Sequence, residues 1–242
     1  DPLGFRPLCL GRLGSAMVLS SESSALTLIE AEFVREIEPG EIVFISEKGV
    51  RSIKPFAPEH RKSICFFEYV YFSRPDSNIN GANVHMVRKD LGRELAKEHP
   101  ADADIVIPIP DSGNAAALGY AEQSGIPFEM GVIRNHYVGR TFLQPSQATR
   151  DFGVKIKLNP VADVIKGKRV VVVDDSIVRG TTSRLRMKSI RDAGAKEIHL
   201  RVSCPPHRHA CYYGIDFPDE KKLIANKMSV EQIGEFLKVD SI

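Results

Sequence analysis

Two adjacent carboxylates, Asp174 and Asp175, stand a few residues ahead of the run Gly180-Thr181-Thr182-Ser183. Carboxylates repel phosphate, but they can hold ribose hydroxyls, or a Mg²⁺ that in turn holds pyrophosphate. The Gly-Thr-Thr-Ser run suits the complementary task. A turn leading into a helix offers free backbone N–H groups at the positive end of the helix dipole, which receive phosphate. Gly180 allows a close approach of the backbone, and the hydroxyls add donors. Ser176, Ile177, Val178 and Arg179 join the two halves. A sugar clamp and a phosphate cradle on one tip together fit a sugar phosphate. A strand ending in two acids is common in α/β proteins. The full order from Val170 to Thr182 is what makes the signal specific.

The elements that must position this tip are legible on either side. Val170 to Val173 are four β-branched residues without polar alternation, the pattern of a strand buried on both faces of a parallel sheet. After the tip, Leu185, Ile190 and Ala193 have helical spacing, and Gly194 stops the helix. Upstream, Val84, Val87, Leu91 and Leu95 predict a helix ended by Pro100. Asp104–Pro108 reads as a strand, Asp111-Ser112-Gly113-Asn114 as a polar turn, Ala115–Ser124 as a helix stopped by Gly125, and Pro127–Ile133 as a strand. Such alternation predicts βαβ units in a parallel sheet. Ligands in these sheets sit at the carboxyl ends of the strands, so the turns Asp111–Asn114 and Asp174–Ser183 can face one site.

Three stretches break the rhythm. Arg134 to Pro160 is long, polar and basic, and is expected to be a lid that excludes water from a phosphate site. Cys65-Phe66-Phe67-Glu68-Tyr69-Val70-Tyr71-Phe72 reads as core aromatics. After a strand at Glu197–Ser203, Cys204 to Cys211 forms an irregular loop with two histidines; its prolines and spacing argue against zinc. Tyr212–Asp216 reads as strand and Ser229–Leu237 as a short helix. Residues 1–57 differ from the rest: strands at Ala16–Ser20, Phe33–Glu36, Ile42–Ser46 and Gly49–Ile53, without a helix between each, suggest the β-rich end of a domain whose start is missing.

Composition narrows the class. Hydrophobic residues are 43% and charged residues 26% of the 242, a globular balance. The net charge of +2 gives no nucleic-acid footprint. No apolar run nears the ~18 residues of a membrane span, and no export leader is visible. Cys9, Cys65, Cys204 and Cys211 are too scattered for a disulfide framework, which points to a reducing cytoplasm. A first residue of Asp1 leads us to expect a processed chain or a fragment.

The stretch Val170–Thr182 resembles the phosphoribosylpyrophosphate (PRPP) signature of type I phosphoribosyltransferases. With Asp1-Pro-Leu-Gly-Phe-Arg-Pro-Leu8, Phe67–Ser77, Tyr137-Val-Gly-Arg-Thr-Phe142 and Tyr213-Gly-Ile-Asp216, nearly the whole chain resembles the glutamine PRPP amidotransferase family. The resemblance implies an α/β fold: a type I phosphoribosyltransferase parallel sheet with flanking helices, after the β-rich tail of an N-terminal-nucleophile glutaminase domain. Residues 1–57 would be that incomplete tail, and 58–242 the transferase, which would continue past Ile242 in a longer chain. The implied reaction is attack of ammonia on C1 of PRPP, giving 5-phosphoribosylamine and pyrophosphate, the first committed step of purine synthesis. No cysteine here matches the glutaminase nucleophile, so ammonia alone is expected to serve this chain.

The resemblance also implies residue roles. Asp174 and Asp175 would hold the ribose and Mg²⁺, Val178 to Ser183 would cradle the 5-phosphate, and Ser176 and Ile177 would belong to the same PRPP-binding stretch. Asp111, Ser112 and Gly113 would face pyrophosphate, with Ser112 on the metal side. Tyr137 and Arg140, in a closing loop from Arg134 to Arg150, would be catalytic. Arg134-Asn135-His136 stands where the family commonly has Lys-Asn-Arg, which makes one of its charges pH-dependent. Arg6 looks structural. Cys65 and Cys211 match two of four ligands to a [4Fe–4S] cluster in one branch of the family, and two thiolates cannot hold a cluster alone. Purine nucleotide inhibitors and a homo-oligomer are implied as well. A PRPP-binding regulator without catalysis is the alternative; its expected basic face or DNA-binding segment is missing from the sequence. A transferase for a free base is disfavoured by the glutaminase-like tail and by Tyr137–Phe142.

Overall fold

The computed structural model describes residues 1–55, 62–136, 158–215 and 219–242. They form two compact units, Asp1–Val87 and Arg88–Ile242.

The first unit is built on an antiparallel sheet of β1 (Cys9–Leu13), β2 (Ala16–Ser20) and β3 (Glu32–Glu36), in the order β2-β1-β3, with α1 (Ser23–Leu28) between the last two in sequence. A hairpin of β4 (Ile42–Ser46) and β5 (Gly49–Ile53) and a small one of β6 (Asn78–Ile79) and β7 (Ala82–Asn83) follow. Neither β1 nor α1 is expected from the sequence, and α1 corrects the reading of strands without intervening helices. Gly11 explains why β1 is missed. It breaks the apolar pattern of β1, yet a Cβ there would lie 2.8 Å from the Leu26 side chain, so its absence lets α1 rest on the sheet.

The aromatic run is only partly core. It contains a π-helical turn, Glu68–Phe72; across the run Phe67 and Val70 are buried while Phe66 and Tyr71 are exposed. Inside it, the buried Glu68 pairs with Arg6 Nε at 2.8 Å and accepts from Ser73 Oγ at 2.8 Å. Arg6 is therefore structural, as expected. The chain beyond the expected boundary near residue 57 still joins this unit: Ser63 and Cys65 N–H donate to Leu3 and Phe5 carbonyls at 2.9 and 3.0 Å.

The second unit takes up most of α2 (Val84–Glu98), then β8 (Ile105–Pro108), α3 (Asn114–Ser124), β9 (Val132–Arg134), β10 (Leu158–Pro160), α4 (Ala162–Ile165), β11 (Arg169–Asp174), α5 (Thr181–Asp192) and β12 (Glu197–Val202). A 3₁₀ turn at Glu220–Lys222, α6 (Ile224–Lys227) and α7 (Val230–Leu237) complete it. Strands β12, β11 and β8 form a parallel sheet in that order, with Val170 opposite Ile198 and Ile105. Val170 to Val173 are each fully buried, as expected of a central strand. Val170 and Val172 face a cluster with Met187, Ile190 and Leu200; Val171 and Val173 face another with Ala116, Ala117 and Tyr120.

Three expectations need correction here. The strand expected over Pro127–Ile133 is split. Phe128 makes a parallel bridge beside Val106, and β9 then leaves the sheet to pair antiparallel with β10. Gly131 makes the turn-off possible, since a Cβ there would meet Ile107 at 2.7 Å. The loop expected to run to Pro160 ends in a strand, β10. Tyr212 to Gly214 form bends and Ile215 is irregular, rather than a strand, with Tyr212 86% exposed. Helix α7 has its polar start as expected: Ser229 caps it, accepting from Gln232 N–H in a capping box.

Candidate active site at the strand tips

The tip of β11 carries Asp174 and Asp175, whose residues are only 2% and 6% exposed. Asp174 Oδ1 accepts the Asp175 N–H at 3.0 Å, and Oδ2 faces Arg186 Nη1 at 3.3 Å. Burial pushes the Asp174 carboxyl well above the ordinary carboxylate range, the neighbouring Asp175 adds to this, and Arg186 opposes it. Ser176 Oγ donates to Asp175 Oδ1 at 2.5 Å. The loop then swings through Gly180, at φ +76°, into α5. Only glycine adopts this conformation without strain. Arg184 N–H closes the first turn of α5 on the Gly180 carbonyl at 2.8 Å. The N–H groups of Thr181, Thr182 and Ser183 come before that bond, at the end where helix donors lack intrahelical acceptors. Thr181 and Thr182 are exposed and Ser183 is buried.

This loop is braced from below by α6. Ile224 N–H donates to the Val178 carbonyl at 2.9 Å, and a Cβ on Gly180 would meet Ile224 Cδ1 at 2.6 Å. Arg184 lies over the Phe236 ring at 4.7 Å. Four-residue α6 has no periodicity to betray it in sequence, and its role at the site is not foreseen.

The turn after β8 lies against the same tip. Ile109 N–H donates to the Val173 carbonyl at 2.8 Å, and a Cβ on Gly113 would sit 2.6 Å from that oxygen. The Pro110–Asp111 peptide is cis. Ser112 is half-buried, and Asp111 is exposed and ion-paired with Arg134 at the end of β9. Asn114 Oδ1 and Arg134 Nε are buried with no hydrogen-bond partner among the described residues. Two polar atoms without a partner among the described residues thus lie on the turn after β8 and at the end of β9.

β12 adds a third edge, whose Cys204 and His207 the sequence reading weighed only as zinc ligands. Ser203 N–H donates to the Asp174 carbonyl at 3.1 Å, and Cys204 Sγ lies 3.2 Å from His207 Nε2. Burial, aided by Asp175, pushes the Cys204 thiol up to about 12. Burial also lowers His207, against the pull of Asp175. The signal was available, because this loop too begins at the carboxyl end of a parallel strand.

The structure sets the turn of Asp111, Ser112 and Gly113 against the end of β11, at the Val173 carbonyl just before Asp174. Tyr137 and Arg140 lie outside the described residues. Cys65 belongs to the first unit; Cys211 is half-buried, with its Sγ 3.3 Å from the Tyr213 N–H. No group of three or more His, Cys, Asp and Glu able to hold a metal occurs among the described residues.

Residues 83–234 match the family model for the phosphoribosyl transferase domain, and the chain belongs to this family. Its relatives are more particular. It is 54% identical to the amidophosphoribosyltransferase of Methanocaldococcus jannaschii, over 100% of this chain and 54% of that protein. It is 52% identical to that of Bacillus subtilis, over 100% and 51%. Among solved structures, one described as the allosteric regulatory enzyme of purine biosynthesis superposes with a TM-score of 0.92 at 52% identity, covering 100% of this chain and 52% of that one. The glutamine PRPP amidotransferase of B. subtilis complexed with ADP and GMP superposes with a TM-score of 0.90 at 51% identity, covering 100% and 53%. The chain thus spans about half the length of the relatives it matches. Its fold is the type I phosphoribosyltransferase α/β fold.

Proposed function

We propose that this chain binds PRPP at the tips of β8 and β11 and transfers its phosphoribosyl group to ammonia, forming 5-phosphoribosylamine and pyrophosphate in purine synthesis. The observation that carries this reading is the contact between the two turns: Ile109 N–H and Gly113 close on the Val173 carbonyl, immediately before Asp174 and Asp175. A clamp for ribose and a cradle for phosphate thereby border one cleft.

In this reading Asp174 and Asp175 accept the ribose hydroxyls, and the loop from Val178 to Ser183 receives the 5-phosphate at the start of α5. Asp111, Ser112 and Gly113 face the leaving pyrophosphate. Arg134 supplies positive charge beside it, and Tyr137 and Arg140 belong to a loop that closes over the substrate. Cleavage at C1 builds positive charge on the sugar and negative charge on the leaving group, so fixed charges contribute more than proton transfer. Ammonia needs no general base to attack.

Asp174, Asp175 and Ser112 suit Mg²⁺, which commonly takes one or two carboxylates and completes its shell with phosphate oxygens and water. The two carboxylates are adjacent and buried at one tip, and the turn that carries Ser112 closes on the strand just before them. When bound, Mg²⁺ would neutralise charge on the pyrophosphate. Cys65 and Cys211 do not fit a [4Fe–4S] cluster by themselves, since two of four thiolates are missing. No step here passes through one.

Residues 1–57 are read as the end of a glutaminase domain and 58–242 as the transferase, with glutamine as the ammonia source in a longer protein. Purine nucleotide inhibition, a homo-oligomeric assembly and a cytoplasmic setting complete the reading; no helix of the described residues is long and apolar enough to cross a membrane. The test is Mg²⁺-dependent release of pyrophosphate from PRPP, with ammonia or glutamine as donor. Release with ammonia supports the transferase. PRPP binding by calorimetry without any release would support the non-catalytic regulator instead.

A further inference from the structure

Arg186 lies on α5, three residues after the buried Ser183 and one before the buried Met187. Helix side chains lean toward the helix N-terminus, here toward the tip of β11. Arg186 Nη1 reaches Asp174 Oδ2 at 3.3 Å, while Oδ1 of the same carboxylate accepts the Asp175 N–H at 3.0 Å. Both oxygens are therefore held, one by the backbone and one by a guanidinium, around a side chain only 2% exposed. Each oxygen keeps acceptor capacity for a substrate hydroxyl. Arg186 itself is in a costly place. Its Nε is buried and has no hydrogen-bond partner among the described residues. An arginine serving only solubility would leave that N–H in water.

We propose that Arg186 is a positioning residue for phosphoribosyl transfer: by holding Oδ2, it fixes the plane in which the Asp174 carboxylate meets the ribose hydroxyls. The inference rests on the reading of this tip as the PRPP site. Arg186 touches no substrate in this scheme and acts only through Asp174. Its effect must therefore vanish once the Asp174 carboxylate is gone.

The test is a double-mutant cycle in the full-length protein, followed by pyrophosphate release from PRPP with ammonia and Mg²⁺. Arg186→Met is expected to lower kcat/KM for PRPP about tenfold, and in an Asp174→Asn background to cost less than about twofold more. A Met variant within about twofold of the parent overturns the inference, as does a full loss repeated in the Asp174→Asn background. Should the Met chain not fold, Arg186→Lys runs the same cycle. A loss of about threefold alone, and none in the Asp174→Asn background, is expected; equal losses in both backgrounds overturn the inference. A parent protein that releases no pyrophosphate overturns the PRPP reading and this inference with it. An active parent with an unaffected Met variant overturns the role of Arg186 alone.

Discussion

Arg134, the last residue of β9, is ion-paired through Nη1 with Asp111 Oδ2, in the turn after β8. The pair joins the start of the proposed closing loop to the turn assigned to pyrophosphate. A phosphate oxygen and Asp111 would compete for the same guanidinium. Arg134→Ala should weaken pyrophosphate inhibition about tenfold, the worth of one charge-assisted hydrogen bond. Asp111→Asn should leave it equal or stronger, because the competitor is removed. Product-inhibition constants measure both, and unchanged inhibition in Arg134→Ala would remove Arg134 from the site.

Asp174 and Asp175 supply the negative charge at the tip. Asp174→Asn or Asp175→Asn should each lower PRPP turnover by at least about tenfold, since a charged acceptor for ribose or metal is lost. Steady-state pyrophosphate release at saturating Mg²⁺ reads this directly. Turnover equal to the parent would sink the assignment of the tip.

Gly180 is constrained twice, by φ +76° and by Ile224 Cδ1 at 2.6 Å from the place of a Cβ. Gly180→Ala should strain the loop by about 1–2 kcal/mol and displace it from α6. PRPP affinity should fall with only a modest change in melting temperature. The companion Ile224→Ala opens room for the methyl group, and the pair should recover part of the affinity measured by calorimetry. No recovery would mean that backbone strain alone governs the loop.

Far from the site, Glu41 is gripped by both arms of Arg35, at 2.8 and 2.5 Å, and accepts the Glu38 N–H at 2.9 Å. The bond to Arg35 is the chief reason its carboxyl is held down at about 2, below the 4.5 of a free glutamate. A lowered carboxylate stabilises the fold above the unfolded value, and that stability is lost as pH falls from 4.5 toward 2. Arg35 is partly exposed, so solvent screening reduces the contribution to about 2 kcal/mol. Thermal melts from about pH 6 down to about pH 2.5 should show the parent losing stability over this window and Arg35→Met showing a flatter loss. Parallel curves would refute the pairing.

The central strand and its tip were legible because unbroken Val170 to Val173 admits few environments, and because Gly and hydroxyl residues at a helix start have a narrow purpose. Helices α2 and α5 were legible from apolar spacing, and Gly125 marked the end of α3 with φ +74°. Elements that depend on distant partners were not. β1 is interrupted by Gly11, which answers to Leu26 in another element. β9 leaves the sheet at Gly131 because of Ile107. Arg186 resembles any solvent-facing arginine until the helix is placed beside Asp174. Local pattern reports what a residue prefers; it does not report which side chain arrives across the fold.

Helices α2 and α3 meet backbone to backbone. A Cβ on Gly92 would lie 1.9 Å from the Ala116 carbonyl oxygen, and one on Gly119 would lie 1.8 Å from that of Lys89. No rotamer change can relieve such an overlap, so any larger residue must push α3 bodily away. Because α3 begins at Asn114, directly after Gly113, that displacement would be delivered to the turn proposed to face pyrophosphate. Two residues assigned no ligand would thereby hold a veto over the proposed reaction, and tolerance to change at Gly92 and Gly119 should be as narrow as at the acidic tip itself.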